Sequence, residues 1–424
     1  MFTWLFTKTP LIYLVQPFWR DEAFSYFLAK KNVLEIFSFS AKDFSPPLYH
    51  LVLHFWINIF GRSEIAIRSL SIIFYWAAVY VGFLILSDIL KMKLKKAFFY
   101  TFLIAINPLL LYYAFEARMY SMLAFFGSLS FYSLYKKNYK LYLVSSILGL
   151  YTHYFMIFVV VSQYFLFKSK KQIQALLAFL PWIVFVLVNR GLVIDSFWIQ
   201  KFSSINLVNF IGSLYTGYER GFRFFDKSIF LLSGALWFII VFGYIRIKKT
   251  ITHEKKIFKY LFVWAILIPL ITVLISFVKP IFLPRYLIFS TVGLVILLIF
   301  AIEKFPLFLR TLLIALIFSV TLNYNRLQIK ERRKANLKKS VEEIKILMKN
   351  NDSLYVSNEL DYFTVQYYLN ENRVYIWGKT YEEIPNYVGK TLIPKEKLAR
   401  TLPFYPKKAF ILSSDGRYTI QAMY

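Results

Sequence analysis

The stretch "LLSGALWFIIVFGYIRIKKTITHEKKIFKYLFVWAILIPLITVLIS", Leu231 to Ser276, holds an apolar run, a basic cluster and a second apolar run. Residues 229–245 and 259–277 are each long enough to cross a bilayer as a helix, which takes roughly 17–25 mostly apolar residues. A backbone in hydrocarbon must satisfy its own hydrogen bonds within the segment, so both runs are expected to be helices. The cluster between them, "RIKKTITHEKK" (246–256), has the Lys/Arg excess of a cytoplasmic turn. The stretch therefore reads as two antiparallel membrane helices.

The same alternation recurs along most of the chain. Further candidate spans are 1–18, 66–87, 97–115, 119–135, 141–151, 155–167, 174–190, 286–302 and 306–323, about eleven in all. Composition agrees: 58% of residues are hydrophobic and 21% aromatic, with mean hydropathy +0.53. A soluble domain is nearer half apolar. The expected class is a polytopic α-helical membrane protein. The first run carries Lys8 and barely reaches spanning length; it reads as a retained first helix, shortened if translation starts upstream.

The basic clusters set orientation. "KMKLKK" (91–96), "KKNYK" (136–140), "KSKK" (168–171) and 246–256 all fall on one side if 141–151 and 155–167 are two helices meeting at His153. One long helix would break that agreement. The outer face then receives 19–65, 116–118, 152–154, 191–228, 279–285 and everything after about 324. The protein is thus expected in the cytoplasmic membrane, with its C-terminal part outside. The net charge of +28 is spent largely on topology and on anionic headgroups, so it gives no support to a nucleic-acid partner. There is no Cys, hence no disulfide and no thiolate metal site.

Residues 41–60, "AKDFSPPLYHLVLHFWINIF", read as an amphipathic interfacial helix carrying His50 and His54, with Pro46-Pro47 at its start. The segment 22–38 reads as a second one. After about Asn325 the composition turns polar. "SLYVS" (353–357) and "RVYIW" (373–377) have strand character, and "ELDYFTVQYYL" (359–369) has helical spacing. "AFILSSDGRYTIQAMY" (409–424) reads as a hairpin turning at Asp415-Gly416. The expected division is a membrane module, 1–324, and a small extracytoplasmic α/β domain, 325–424.

The outer face collects Asp21, Glu22, Asp43, His50, Glu116, Arg118, His153, Lys279 and Arg285, all at helix ends or in short loops. Charges near hydrocarbon are costly, so several converging on one face suggest a site. "FWRDEAFSYF" (18–27) places adjacent carboxylates, Asp21 and Glu22, after an apolar run. They could accept a proton, orient a hydroxyl or bind a divalent cation. The alternative for Asp21 is a helix N-cap. Arg118 and Arg285 suit phosphate through bidentate bonds, or anchor the helices by snorkelling to headgroups. His153, in "GLYTHYF", suits a ligand or an acid–base group, or fills a break between short helices. Glu116 and Lys279 read equally well as solvated loop charges. No P-loop, dinucleotide fingerprint, nucleophile elbow or "HExxH" is present. A membrane-embedded donor bearing phosphate is the natural substrate class for groups that face outward.

"WRDEAFSYFLAKK", "DFSPPLYHLVLHFWINIFGRSEIAIRSLS", "NPLLLYYAFEARMYSML" and "FLPRYL" resemble the lipid-linked-sugar glycosyltransferases of the GT-C fold. The nearest branch is similar to the bacterial relatives of protein O-mannosyltransferase and lipid A aminoarabinose transferase, glycosyltransferase family 39 and its neighbours. The resemblance runs through about residues 1–325. It implies Asp21 as catalytic base on the acceptor, with Glu22 beside it. It matches Asp43, before Pro46-Pro47, to a second acidic element, and assigns acceptor or cation binding to Glu22, Asp43 and His153. It implies Arg118, Arg285, Tyr286 and Lys279 near the donor phosphate. Ser45 stands where protein O-mannosyltransferases have His, a departure that weighs against a protein acceptor. The implied partners are a polyprenyl-phosphate-linked sugar, an extracytoplasmic acceptor and membrane lipid. Metal use varies in such enzymes, so no ligand set is assigned. The alternative reading is a lipid or glycan transporter or flippase. Such proteins usually show paired repeats and broken helices at the midplane, and no internal repeat is visible here. A third reading is a glycan polymerase.

Overall fold

The computed structural model describes residues 2–43, 45–190, 199, 203–219, 226–248, 252–369 and 372–424. Phe44, residues 191–198, 200–202 and 220–225 of the expected outer loop 191–228, and residues 249–251 of the basic turn lie outside the described residues. The described part of that loop is corrected, because it contains the helix Ser204–Thr216. By contacts the chain forms two compact units. One comprises residues 1–11, 68–184 and 196–331; the other comprises 12–67, 185–195 and 332–424.

The first unit is helical. Among the described residues, six helices are long and apolar enough to cross a membrane: Glu64–Ile89, Lys170–Asn189, Lys227–Lys248, His253–Ser276, Pro284–Ile302 and Leu307–Glu331. A seventh span exists if Leu94–Ala105 and Pro108–Ala114, bent by 70° to each other, count as one. The bend has a local cause. Pro108 cannot extend a helix, and Asn107 starts a new one by accepting from the N–H groups of Leu109 and Leu110. Tyr120–Tyr135, Tyr139–Thr152 and Met156–Phe167 are shorter, with 16, 14 and 12 residues. At about 1.5 Å per residue they fall short of a core about 30 Å thick unless flanking residues extend them. The expected pair of helices meeting at His153 is present: the first ends at Thr152 and the second begins at Met156.

The helix Ile288–Ile302 is apolar on every face, and all of its residues are buried. It is the core of this unit. Gly293 lets it approach the neighbouring helix, since an added Cβ would meet the indole of Trp264 at 2.7 Å. In Leu307–Glu331 only 17% of the apolar window is buried, so that helix presents most of its surface outward.

The expected first span, 1–18, is corrected. It is two short helices, Phe2–Lys8 and Ile12–Val15, interrupted around Pro10, which has no N–H to continue the helix.

The second unit holds the helices Arg20–Ala29, Val33–Lys42 and Leu48–Phe60. The segment expected as one interfacial helix over 22–38 is therefore two, separated where Asn32 caps the second by accepting from Glu35 N–H. The expected helix with Pro46-Pro47 at its start begins at Leu48, with Pro47 as N-cap. His50 is buried on it, and His54 Nδ1 lies 2.7 Å from the Ala29 carbonyl.

The sheet of this unit has the order β3-β2-β1-β4-β5. Its strands are β1 (Ser353–Val356), β2 (Val374–Trp377), β3 (Leu398–Ala399), β4 (Ala409–Leu412) and β5 (Tyr418–Gln421). β1 pairs in parallel with β2 and β4, while β4 and β5 form the antiparallel hairpin. Gly416 in its turn has φ +88°, which a residue with a Cβ rarely adopts. The helix Tyr362–Leu369 connects β1 to β2. β3 and the amphipathic helix Leu337–Leu347 were not anticipated from the sequence.

Candidate active site

The candidate residues form one group in each unit. In the second unit, the helix Arg20–Ala29 starts after Trp19, its N-cap. Asp21 therefore lies inside the first turn and is not the cap. A carboxylate there is favoured by the helix dipole.

Its two neighbours are held by the C-terminal residues. Arg20 Nε donates to Asp361 Oδ1 at 2.7 Å, and Arg20 Nη2 lies 3.4 Å from Ser414 Oγ. Ser414 in turn donates to the other oxygen of Asp361. Glu22 Oε2 accepts from Lys334 Nζ at 2.8 Å and from the Trp19 N–H at 2.9 Å. The Glu22 and Lys334 side chains are 1% and 4% exposed, so this ion pair is buried. Asp21 is exposed, and its backbone carbonyl accepts from the Ser25 hydroxyl. In "RDE" the outer two residues bind the chain's own polar groups, and the middle residue is exposed.

Asp43 is the C-cap of Val33–Lys42 and is half-buried. The hydroxyl of Ser45, the residue that departs from the expected His, lies 3.5 Å from its carboxylate. Among the described residues no group of three or more His, Asp or Glu converges as a metal site would require.

In the first unit the structure brings Arg118, His153, Arg285 and Tyr286 together. The His153 and Tyr286 rings are 5.0 Å apart, and Tyr120 lies 6.2 Å from His153 and 6.3 Å from Tyr286. Arg118 stands over the Tyr120 ring at 5.8 Å and Arg285 over Tyr286 at 5.7 Å. Local folding positions each of them. Arg118 lies in the short turn before Tyr120–Tyr135, His153 in the break between two helices, and Arg285 in the 3-10 turn Pro284–Leu287 that opens the central helix.

His153 is buried, and its Nδ1 accepts from the Phe155 N–H at 3.2 Å. The ring is therefore neutral with its proton on Nε2. Burial, then the charges of Arg118 and Arg285, push its pKa down to about 3. Both guanidinium groups thus act on one imidazole.

One carboxylate completes the group, and a second stands two residues before Arg118. Glu219, which the sequence reading missed, bonds Arg285 Nη1 at 2.7 Å and lies 3.5 Å from the Tyr113 hydroxyl. Its signal was weak: one acid in "TGYER", just past the apolar helix Ser204–Thr216. Glu116 accepts from the Tyr112 hydroxyl at 2.6 Å. Lys279 is exposed beyond Ile268–Ser276, with its N–H bonded to the Ile275 carbonyl. The ensemble of cations, aromatic faces and phenol hydroxyls suits an anion whose charge is spread over several oxygens.

These features define a multi-pass helical membrane protein with a small mixed sheet, a cationic–aromatic cluster at helix ends and an exposed carboxylate in a first helical turn. No protein-family model matches the chain, and no curated protein matches it. Among solved structures, it is similar to the crystal structure of ArnT from Cupriavidus metallidurans in the apo state, at 12% identity and a TM-score of 0.48, over 95% of this chain and 91% of that one. It is also similar to the crystal structure of ArnT from Cupriavidus metallidurans bound to undecaprenyl phosphate, at 12% identity and a TM-score of 0.47, over 97% and 93% of the two chains.

Proposed function

We propose that this protein is a glycosyltransferase that moves a sugar from a polyprenyl-phosphate donor to an acceptor outside the cytoplasmic membrane. The observation that carries the reading is the convergence of Arg118 and Arg285 on His153 and Tyr286 at the ends of membrane helices. Guanidinium groups beside a bilayer suit a lipid phosphate, and the tyrosines add donors and faces for the adjoining sugar.

In this reading Asp21 is the general base. It draws the proton from an acceptor hydroxyl or amine as that atom bonds to the anomeric carbon. The bond from that carbon to the phosphate oxygen breaks, with inversion. The departing polyprenyl phosphate carries its charge to Arg118 and Arg285, with Tyr286 beside them and Lys279 near the headgroup. Asp43 and His153 contribute to holding the acceptor. Glu22 was expected to bind the acceptor or a cation. In this reading it positions the helix that carries Asp21, because its carboxylate is paired with Lys334. Residues 1–324 serve as the catalytic module and 325–424 as an extracytoplasmic domain. About eleven crossings follow if the bent pair, the three shorter helices and the interrupted N-terminal segment also cross.

The test is transfer in proteoliposomes with radiolabelled polyprenyl-phosphate sugars and extracted envelope acceptors. Mass spectrometry of envelope glycans from cells with and without the gene runs alongside. A sugar modification lost with the gene and remade by the purified protein supports the reading. Unchanged glycans and no transfer from any polyprenyl-phosphate sugar would refute it.

A further inference from the structure

The basic turn carries a feature that the transferase reading does not use. The helices Asp226–Lys248 and Thr252–Phe262 line an open cavity of about 530 Å³. None of its lining residues belongs to the Arg118–Arg285 cluster. Its walls are apolar and include Trp237, Tyr244 and Phe258; the Tyr244 and Phe258 rings lie 5.1 Å apart. Its rim carries Lys248, Lys255 and Lys259, contributed by both helices and all exposed.

The charge at this rim is not balanced locally. Glu254, the acid nearest in sequence, is bonded to Lys304 at 2.6 Å. Among the described residues, none of the three lysines has a carboxylate within ion-pair distance. Lysines in a basic turn ordinarily extend into water beyond the headgroups. Here three of them border one cavity whose remaining surface is hydrocarbon-like. Its size falls in the range of small-molecule sites, roughly 300–1,000 Å³.

An uncharged lipid would leave the lysines unanswered, and a soluble anion would leave the apolar wall unanswered. An amphiphile with an anionic head and a hydrocarbon tail answers both. We infer that this cavity is a binding site for one anionic phospholipid of the leaflet bordering the basic turns. The phosphate sits among Lys248, Lys255 and Lys259, and an acyl chain runs along Trp237 and Phe258. Lysine is a compact point charge with rotatable donors, which suits a monoester or diester headgroup of no fixed orientation.

The test is native mass spectrometry of the full-length protein in detergent, titrated with phosphatidylglycerol and with phosphatidylcholine of identical acyl chains. One phosphatidylglycerol should be retained in preference to phosphatidylcholine. The triple substitution Lys248→Gln, Lys255→Gln, Lys259→Gln should lose that preference by on the order of a hundred-fold, since each lysine near an anionic lipid surface adds its own attraction. The matched substitution Lys168→Gln, Lys170→Gln, Lys171→Gln at another basic turn should retain it. Glycerol phosphate at millimolar concentration should not displace the lipid. Equal binding of the two lipids, or a preference that survives in the first triple variant, would overturn the proposal. Equal loss in the second variant would make the preference a property of overall charge, and full competition by glycerol phosphate would make the site one for free anions; either result also overturns it.

Discussion

Lys334 Nζ lies 2.8 Å from Glu22 Oε2, and both side chains are almost wholly buried. Removing one partner of such a pair leaves an uncompensated buried charge, at a cost of about 3–5 kcal/mol. Glu22→Gln and Lys334→Met are each expected to destabilise the fold by that order. A double variant, Glu22→Leu with Lys334→Met, should recover much of the loss. Denaturant titrations in detergent check this. Single variants as stable as the parent would show that the pair holds nothing together.

Asp21 behaves differently because it is exposed in the same turn. Asp21→Asn is expected to insert and unfold like the parent while losing transfer by about 10²–10⁴-fold, the usual worth of a general base. Transfer per folded molecule, at saturating donor, is the measurement. Full activity would return the base to Asp43.

Arg118→Ala and Arg285→Ala should each weaken binding of a polyprenyl phosphate, because a charge-assisted contact is lost. Arg285→Lys should restore binding only in part, since a point charge replaces the guanidinium fork. Titration with undecaprenyl phosphate reads both. Unchanged affinity in the two alanine variants would make these arginines headgroup anchors.

His153 should stay neutral well below the pH at which an ordinary imidazole protonates, because its pKa is pushed down to about 3. The sign follows from linkage. The unfolded chain binds this proton near pH 6.5, so the folded state loses stability as pH falls from about 6.5 toward 3 and gains none above that range. Nitrogen-15 spectra of labelled histidine at pH 5 should show the neutral form with its proton on Nε2. In the Arg118→Ala variant the titration should move upward. A His153 signal titrating near 6.5 in the parent would contradict the burial and charge environment described above.

Reporter fusions after Lys140 and after Lys338 should report opposite sides of the membrane, because an odd number of crossings is expected between them. Identical sides would sink the proposed orientation.

The long apolar helices, the break at His153 and the strands β1, β2, β4 and β5 were legible in the sequence, because their causes are local. An apolar run in lipid has to be a helix, basic clusters fix which runs are separate, and Asp415-Gly416 supplies the backbone freedom that the hairpin needs. Pro10 is a local cause too, and its interruption of the first apolar run could have been read. The roles within Arg20-Asp21-Glu22 were not legible. Successive residues of a helix point about 100° apart, so the sequence dictates that the three side chains diverge. Which of them is buried depends on Asp361 and Lys334, 341 and 312 residues further along the chain. The same holds for Glu219, whose partner Arg285 is 66 residues away. An ion pair leaves no periodic mark on a sequence. It forms only where folding brings two charges to one point and excludes the water that would otherwise screen them, and that is decided by tertiary structure alone.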